Sequence, residues 1–165
     1  MSAHRADIMA KNSGTKISRF HGEFRWLSNF FLTPVVDSNG RVHPSVEHAY
    51  QPAKATTVAE RESIMSASTA KKAKRRGSKL NPPPDWKDRK IDVMRSLLRI
   101  KFAPGTPLAE RLIETGNRVL EEGKDWGDTF WGVCAGEGEN HLGRMLLDLR
   151  AELKRGHSNP DRIDT

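Results

Sequence analysis

Apolar side chains recur at helical spacing in the second half of this 165-residue chain. In the segment 85–102, the apolar positions three or four residues apart are Ile91, Met94, Leu98 and Phe102. This spacing predicts an amphipathic helix with one buried face. A second apolar stripe, over residues 142–153, predicts a C-terminal helix that Asn140 begins and Gly156 ends. Between these segments, Thr106 is a suitable cap for a shorter helix.

Turn and capping residues divide the first half of the chain into short elements. Asn39 and Gly40 form a tight-turn pair between the β-prone stretches PVV and RVH, which predicts a hairpin. Ser45 can cap the helix that follows this hairpin. Residues 56–75 are expected to continue as one polar helix.

The expected fold is an α+β domain, mainly helical, with a small antiparallel β-sheet. A chain of this length can bury one core, which we assign to a single domain over residues 17–155. Residues 1–16 and 156–165 are polar and lack periodicity, so we expect them to be flexible tails.

The formal net charge of +7 indicates an anionic partner, such as a phosphorylated small molecule or nucleic acid. The run KKAKRRGSK, residues 71–79, is either a solvated basic loop or a rim that attracts phosphates. No apolar run approaches the roughly 18 residues that a membrane helix needs. The N-terminal residues do not resemble a secretory signal, and Cys134 has no second cysteine to pair with. We therefore expect a cytoplasmic protein.

The stretch PSVEHAYQPAKA, residues 44–55, carries an unusual set of polar groups. If it is helical, Glu47, Tyr50, Gln51 and Lys54 share one face. The helix dipole alone would favour an acidic residue in the first turn, and Lys54 would then be its surface partner. The alternative is a functional face, on which Tyr50, Gln51 and Lys54 bind the substrate. Shielding of its carboxylate from water would raise the pKa of Glu47 and suit it to proton exchange.

Three clusters of aromatic and acidic residues supply possible companions for this face: FRWLSNFF, PDWKD and DWGDTFWG. Most tryptophans pack in cores, but Trp86 or Trp126 could form a flat wall for a heterocycle. Glu47 together with Asp125 or Asp128 would supply the two carboxylates used in glycosidic bond cleavage.

The sequence contains no recognisable motif for a metal site or for a nucleotide-binding fold. The six histidines and one cysteine lack the spacing of a zinc site, so we expect no metal. The glycine-rich stretch GVCAGEGENHLG matches neither the dinucleotide fingerprint nor the phosphate-loop pattern, and we expect no cofactor. Exposed amides at the start of the last helix remain a possible anion site.

Five segments resemble the NADAR family, also called the YbiA-like family, in order and spacing over about residues 20–153. They are FRWLSNF, EHAYQPAKA, DWKDRKIDVMRSLLRIKF, LIETGNRVLEEGKDWGDTFWGV and GENHLGRMLLDLR. The resemblance implies a mainly helical α+β fold and an N-glycosidase that needs no cofactor. The substrates it implies carry a phosphorylated ribose, as in early riboflavin intermediates, or ADP-ribose on guanine in nucleic acid.

The resemblance also implies roles for single residues. Glu47 matches the family's catalytic carboxylate and Asp128 its acidic partner. Trp86 and Asn29 match pocket residues, and Asn140 lies at the helix start that would face a phosphate.

Two positions depart from the family's pattern. Pro52 stands where a small non-proline residue is usual, so the helix after Gln51 is expected to kink. Ser78 stands where the family has arginine, so Lys79 or Arg76 would have to supply the phosphate-binding charge.

The residues leave two other classes of function open. A non-catalytic module that binds ADP-ribose or nucleic acid would share the basic charge but would cleave nothing. A purely structural interaction protein would bind no small molecule, which the polar face around Glu47 disfavours.

Overall fold

The structure, a computed structural model, describes residues 14, 16–125 and 127–158. Local sequence explains most element boundaries, because a capping side chain or a proline stands at several helix starts. In chain order the elements are β1 (Lys16–Ile17), a 3₁₀ helix (Gly22–Leu27), β2 (Val35–Val36), β3 (Val42–His43), α1 (Val46–Tyr50), a second 3₁₀ helix (Gln51–Lys54), α2 (Val58–Met65), α3 (Ala70–Gly77), α4 (Trp86–Lys101), α5 (Pro107–Glu114), β4 (Val119–Leu120), β5 (Gly123–Lys124), β6 (Val133–Cys134) and α6 (His141–His157).

The chain divides into two compact units. The middle unit contains residues 28–101, and the outer unit contains the residues before and after that range. No described helix combines the length and the apolar character that a membrane-spanning segment needs.

In the middle unit, the hairpin β2–β3 leads directly into α1. The predicted turn is confirmed, since Gly40 has a φ of 78° and Val35 pairs antiparallel with His43. Part of the core consists of Ile64, Ala67 and Ala73, with Leu80 packed against them. The apolar face of α4 adds Met94, Leu97 and Leu98, all buried.

In the outer unit, helix α6 buries the apolar stripe predicted from the sequence: Leu142, Met145, Leu146, Leu149 and Leu153. The same helix also buries Arg150, which donates from Nη1 to Thr115 Oγ1 at 2.8 Å and to the Arg118 carbonyl at 2.9 Å. Lys154 donates to the Gly116 carbonyl at 2.6 Å. These side chains donate to acceptors just beyond α5, where Gly116 adopts a φ of 68°.

The mainly helical class with small sheets is confirmed, but the strand pairing differs from the single antiparallel sheet expected. The described strands form three two-stranded pairs, and only β2–β3 is antiparallel. β1 pairs parallel with β4, and β5 pairs parallel with β6. Parallel strands cannot be joined by a tight two-residue turn, so neither of these pairs has the local turn signal by which a sequence reveals a hairpin.

Two helix boundaries also differ from the prediction. The prediction of one polar helix over residues 56–75 is wrong. Helix α2 ends at Met65, and Thr69 caps the separate helix α3. Helix α6 continues through Gly156 to His157. The predicted tails, 1–16 and 156–165, lie mostly outside the described residues.

Candidate active site

Glu47 lies in the first turn of α1 and is 5% exposed. Ser45 starts this helix as predicted, because its side chain accepts a hydrogen bond from the His48 amide at 3.2 Å. The amide of Glu47 donates to the Asn29 carbonyl at 3.1 Å, which ties the helix start to the preceding loop. These two hydrogen bonds fix the backbone from which the Glu47 carboxylate projects.

Gln51 holds the Glu47 side chain directly. Its Nε2 donates to Glu47 Oε1 at 2.6 Å, and the Gln51 residue is 3% exposed. The helix changes to 3₁₀ geometry at Gln51, one residue before Pro52, so the α-helix is interrupted at the proline. A short hydrogen bond between buried groups fixes the orientation of the carboxylate.

Lys54 follows on the same side and lies over the Tyr50 ring, with Nζ 5.5 Å from the ring centroid. Burial lowers the pKa of Lys54, the Glu47 carboxylate opposes this effect, and the charges of Lys74 and Lys90 add to it. Glu47, Tyr50, Gln51 and Lys54 thus form one connected group, as the helical spacing predicts.

Two half-buried lysines from other elements, Lys74 and Lys90, act electrostatically on Lys54, which is itself half-buried. Lys54 belongs to the second 3₁₀ helix, Lys74 to α3 and Lys90 to α4. Lys74 also lies over the Phe30 ring, at 5.8 Å from its centroid. Sequence reasoning named Lys74 only within the basic run and missed Lys90, because helical spacing along one segment cannot reveal neighbours from other helices.

Trp86 begins α4 and is 6% exposed. Its ring packs against Tyr50 at a centroid distance of 5.4 Å, and the Arg89 guanidinium lies 5.7 Å from its centroid. These neighbours support the position of Tyr50, and little of the Trp86 ring is exposed. Its role as a stacking wall for a heterocycle stays a prediction.

Asn29 is buried in the same unit and donates from Nδ2 to Met94 Sδ at 3.4 Å. Its Oδ1 has no hydrogen-bond partner in the structure. A buried acceptor without a donor is uncommon in proteins and needs an explanation, and a functional role is one of those known. The predicted assignment of Asn29 to the pocket therefore has a physical basis here, although direct contact with a substrate stays a prediction.

The two residues proposed to replace the family's arginine differ in their surroundings. Arg76 donates to the Ser63 carbonyl and to Ser66 Oγ, so it joins α3 to the end of α2. Lys79 is exposed beyond the end of α3. Of these two, Lys79 retains the freedom to meet a phosphate.

Asp128 belongs to the outer unit and is half-buried. Its Oδ1 accepts a hydrogen bond from the Trp131 amide at 3.0 Å. Phe130, two positions after Asp128, packs its ring against the His141 ring at 4.3 Å between centroids. Trp126, the other predicted stacking residue, lies outside the described residues.

Asn140 begins α6 in the left-handed conformation, with a φ of 50°. Its side chain does not cap the helix but donates to the Leu120 carbonyl at 2.9 Å and accepts from the Glu122 amide at 3.1 Å. The amides of Asn140, His141 and Leu142 donate to the carbonyls of residues 130–132. These bonds occupy the donors that the sequence suggested for an anion, so a substrate contact at Asn140 stays a prediction.

The described residues also include a surface cleft but no cluster of metal ligands. Within the described ranges, no group of three or more His, Cys, Asp and Glu side chains could hold a metal ion. A cleft of about 730 Å³ lies between the β2–β3 turn and α2, and Ala49 and Pro52 also line it. Glu47 and Lys54 do not line this cleft.

Comparisons with known proteins give consistent matches. The family model of the NADAR domain matches residues 17–154. N-glycosidase YbiA of Escherichia coli is 34% identical over 136 residues, which cover 81% of this chain and 82% of YbiA. A riboflavin biosynthesis protein of Vibrio vulnificus is 38% identical over 132 residues, but these cover 78% of this chain and only 35% of that protein. The NMR structure of Escherichia coli YbiA matches with a TM-score of 0.77 at 27% identity, covering 93% of this chain and 97% of YbiA.

Proposed function

Because the chain belongs to the NADAR family of YbiA-like N-glycosidases, which are hydrolases of N-glycosyl bonds, we propose that it releases an amine or base from a phosphorylated ribose. The proposed substrates are intermediates of riboflavin synthesis, since several relatives are named riboflavin biosynthesis proteins. The observation that carries the proposal is the buried Glu47 carboxylate, held by Gln51 beside the charge of Lys54.

In the proposed reaction, Glu47 accepts a proton from a water molecule as that water attacks the anomeric carbon. The bond between this carbon and nitrogen breaks, and its electron pair leaves with the nitrogen. The nitrogen takes up a proton from solvent while Glu47 returns its own proton to solvent, which restores the carboxylate. Asp128 is proposed to stabilise the positive charge on the sugar or to assist the leaving group. The support for Asp128 is its resemblance to the family's acidic residue.

Lysine charges near Glu47 support a phosphorylated substrate. The charges of Lys74 and Lys90 each act on Lys54 and lower its pKa, whereas the Glu47 carboxylate acts in the opposite direction. A phosphate bound beside these lysines would interact favourably with their charges and would hold the ribose near Glu47.

A second substrate is favoured by one further observation. Lys71, Lys72 and Arg75 are exposed on α3, as a contact with a nucleic-acid backbone would require. Guanine in nucleic acid that carries ADP-ribose is therefore the alternative substrate, and it would use the same N-glycosidic cleavage.

The decisive experiment measures release of the free sugar phosphate from a ribosylaminopyrimidine phosphate and of ADP-ribose from guanine-ADP-ribosylated DNA. We expect the wild-type protein to cleave one of them and the folded Glu47→Gln variant to lose about 100-fold or more of the rate, because an amide cannot accept the proton. Glu62→Gln makes the same charge change at an exposed position on α2 and should retain the wild-type rate.

Near-normal turnover by a folded Glu47→Gln protein would overturn the assignment of Glu47. Binding of either compound without any cleavage by the wild-type protein would favour the non-catalytic module.

A further inference from the structure

Gln51 stands between the proposed catalytic carboxylate and helix α3. Both Gln51 and Glu47 are almost wholly buried, at 3% and 5% exposure. The amide nitrogen faces the carboxylate at 2.6 Å, whereas the amide oxygen, Oε1, has no hydrogen-bond partner in the structure. Reversing the amide would put this oxygen against the carboxylate oxygen, so the donor orientation is the one that the surroundings select.

Gly77 provides the space for the Gln51 side chain. A Cβ atom on residue 77 would lie 2.9 Å from Gln51 Cδ and 3.0 Å from Gln51 Cβ, and it would clash directly with Oε1. Gly77 is buried in the last turn of α3, where its φ is not positive, so a turn conformation does not require glycine there. The close approach of Gln51 does require it.

We propose that Gln51 is a positioning residue for Glu47 and that the missing side chain of Gly77 keeps it in place. This inference rests on the proposed catalytic role of Glu47. It differs from the sequence-based expectation that Gln51 contacts the substrate, because the Gln51 amide is turned toward Glu47 and is buried. Gln51 would act on the reaction only through the orientation and the charge of the carboxylate.

The arrangement has two physical consequences. The hydrogen bond favours the ionised form of Glu47, so its loss should move the titration of this carboxyl group to higher pH. The bond also holds the carboxylate in one orientation, and a misplaced catalytic group can reduce the rate by about 100-fold. Neither consequence requires any contact between Gln51 and the substrate.

The test compares Gln51→Met, Gln51→Asn and Gly77→Ala with the wild-type protein. Met removes the donor at similar length, Asn withdraws it by one methylene group, and the Gly77 variant displaces the native side chain. Gly156→Ala is the matched control, since it adds a methyl group to a helical glycine with nothing within 4 Å of the new atom. Turnover is measured against pH, and the Glu47 carboxyl is titrated by NMR with ¹³C-labelled glutamate, assigned from the signal lost in Glu47→Gln.

We expect turnover to fall by about tenfold to 100-fold in the three variants with KM changed less than threefold, and the acid limb of the pH profile to move upward. The NMR titration of Glu47 should move in the same direction, whereas the control should match the wild type. If Gln51→Met does not fold, Gln51→Asn and Gly77→Ala are judged by the same criteria.

An unchanged Glu47 titration in folded variants would overturn the positioning role, and so would a rise in KM at constant kcat, which would indicate direct substrate binding. Failure of the proposed function is distinguishable from both outcomes. In that case Glu47→Gln would remain active, while the NMR titration would still report whether Gln51 acts on Glu47.

Discussion

Neighbouring residues on α1 have different roles. Glu47 carries the proposed chemistry, whereas His48, which is 1% exposed, holds the helix in place. His48 Nε2 donates to the Ala67 carbonyl at 3.1 Å, so Nδ1 is the acceptor and Ser45 Oγ donates to it at 2.7 Å. Both ring nitrogens are satisfied in the neutral form, and burial lowers the pKa of His48 below its usual 6.5. Sequence reasoning did not assign this function to His48.

The neutral state of His48 predicts sensitivity to acid. Below pH 6.5 the unfolded chain binds a proton at this histidine, while the folded protein does not until its lower pKa is reached. The free energy of unfolding should therefore decrease as the pH falls through 6.5, by up to about 1.4 kcal/mol per pH unit from this residue. Urea unfolding between pH 7.5 and 5.5 measures this slope.

A His48→Gln variant should lower the free energy of unfolding at pH 7.5 by about 1–3 kcal/mol, because buried hydrogen bonds are lost. Its dependence on pH should be flatter than that of the wild type. Equal slopes in the two proteins would mean that other groups cause the acid sensitivity.

Helices α2 and α3 illustrate how capping acts at the scale of an element. Thr57 Oγ1 accepts from the Glu60 amide at 3.2 Å, and Glu60 Oε2 accepts from the Thr57 amide at 3.1 Å, which completes a capping box. Bonds from the Thr56 and Thr57 amides lower the pKa of the Glu60 carboxyl. Thr69 caps α3 in the same way, accepting from the Lys72 amide at 3.1 Å. These caps separate two helices where polarity alone predicts one.

Replacing Thr57 by alanine should lower the free energy of unfolding by about 0.5–2 kcal/mol, because the first turn of α2 loses its side-chain acceptor. Chemical denaturation measures the change. Ser38→Ala, at an exposed position of the hairpin turn, should cost less than about 0.5 kcal/mol. If the two variants lost the same stability, the cap would not stabilise α2 as the geometry indicates.

At the scale of the whole molecule, the charge of +7 supports two kinds of binding. Exposed basic residues such as Lys71 and Lys72 can attract any polyanion, and this attraction is screened by salt. The half-buried lysines Lys54, Lys74 and Lys90 are shielded from solvent ions to a greater extent. The two kinds of binding should therefore differ in their dependence on salt.

Raising the salt concentration from 50 to 200 mM should weaken non-specific DNA binding by at least about tenfold, because several phosphate contacts release counterions. The KM for a ribosylaminopyrimidine phosphate should rise by less than about threefold, since that ligand carries one phosphate in a partly buried site. Fluorescence anisotropy and steady-state kinetics measure the two quantities. A KM as sensitive to salt as DNA binding would contradict a partly buried phosphate site.

Much of the fold could be predicted from residues that are neighbours along the chain. The turn at Gly40, the cap at Ser45 and the start of α5 at Thr106 follow from residues within a few positions of each boundary. The apolar stripes of α4 and α6 are likewise properties of spacing along one helix. For the same reason, the shared face of Glu47 and Gln51 could be predicted before the structure was known.

Tertiary structure decided what spacing along the chain cannot encode. Gly77 leaves space for the Gln51 side chain beside Glu47. The charge of Lys90 acts on Lys54 although the two residues belong to different helices. The parallel pairing of β1 with β4 joins residues about a hundred positions apart in sequence. Contacts of this kind depend on the packing of the whole core, whereas caps, turns and helical faces depend on neighbours along the chain.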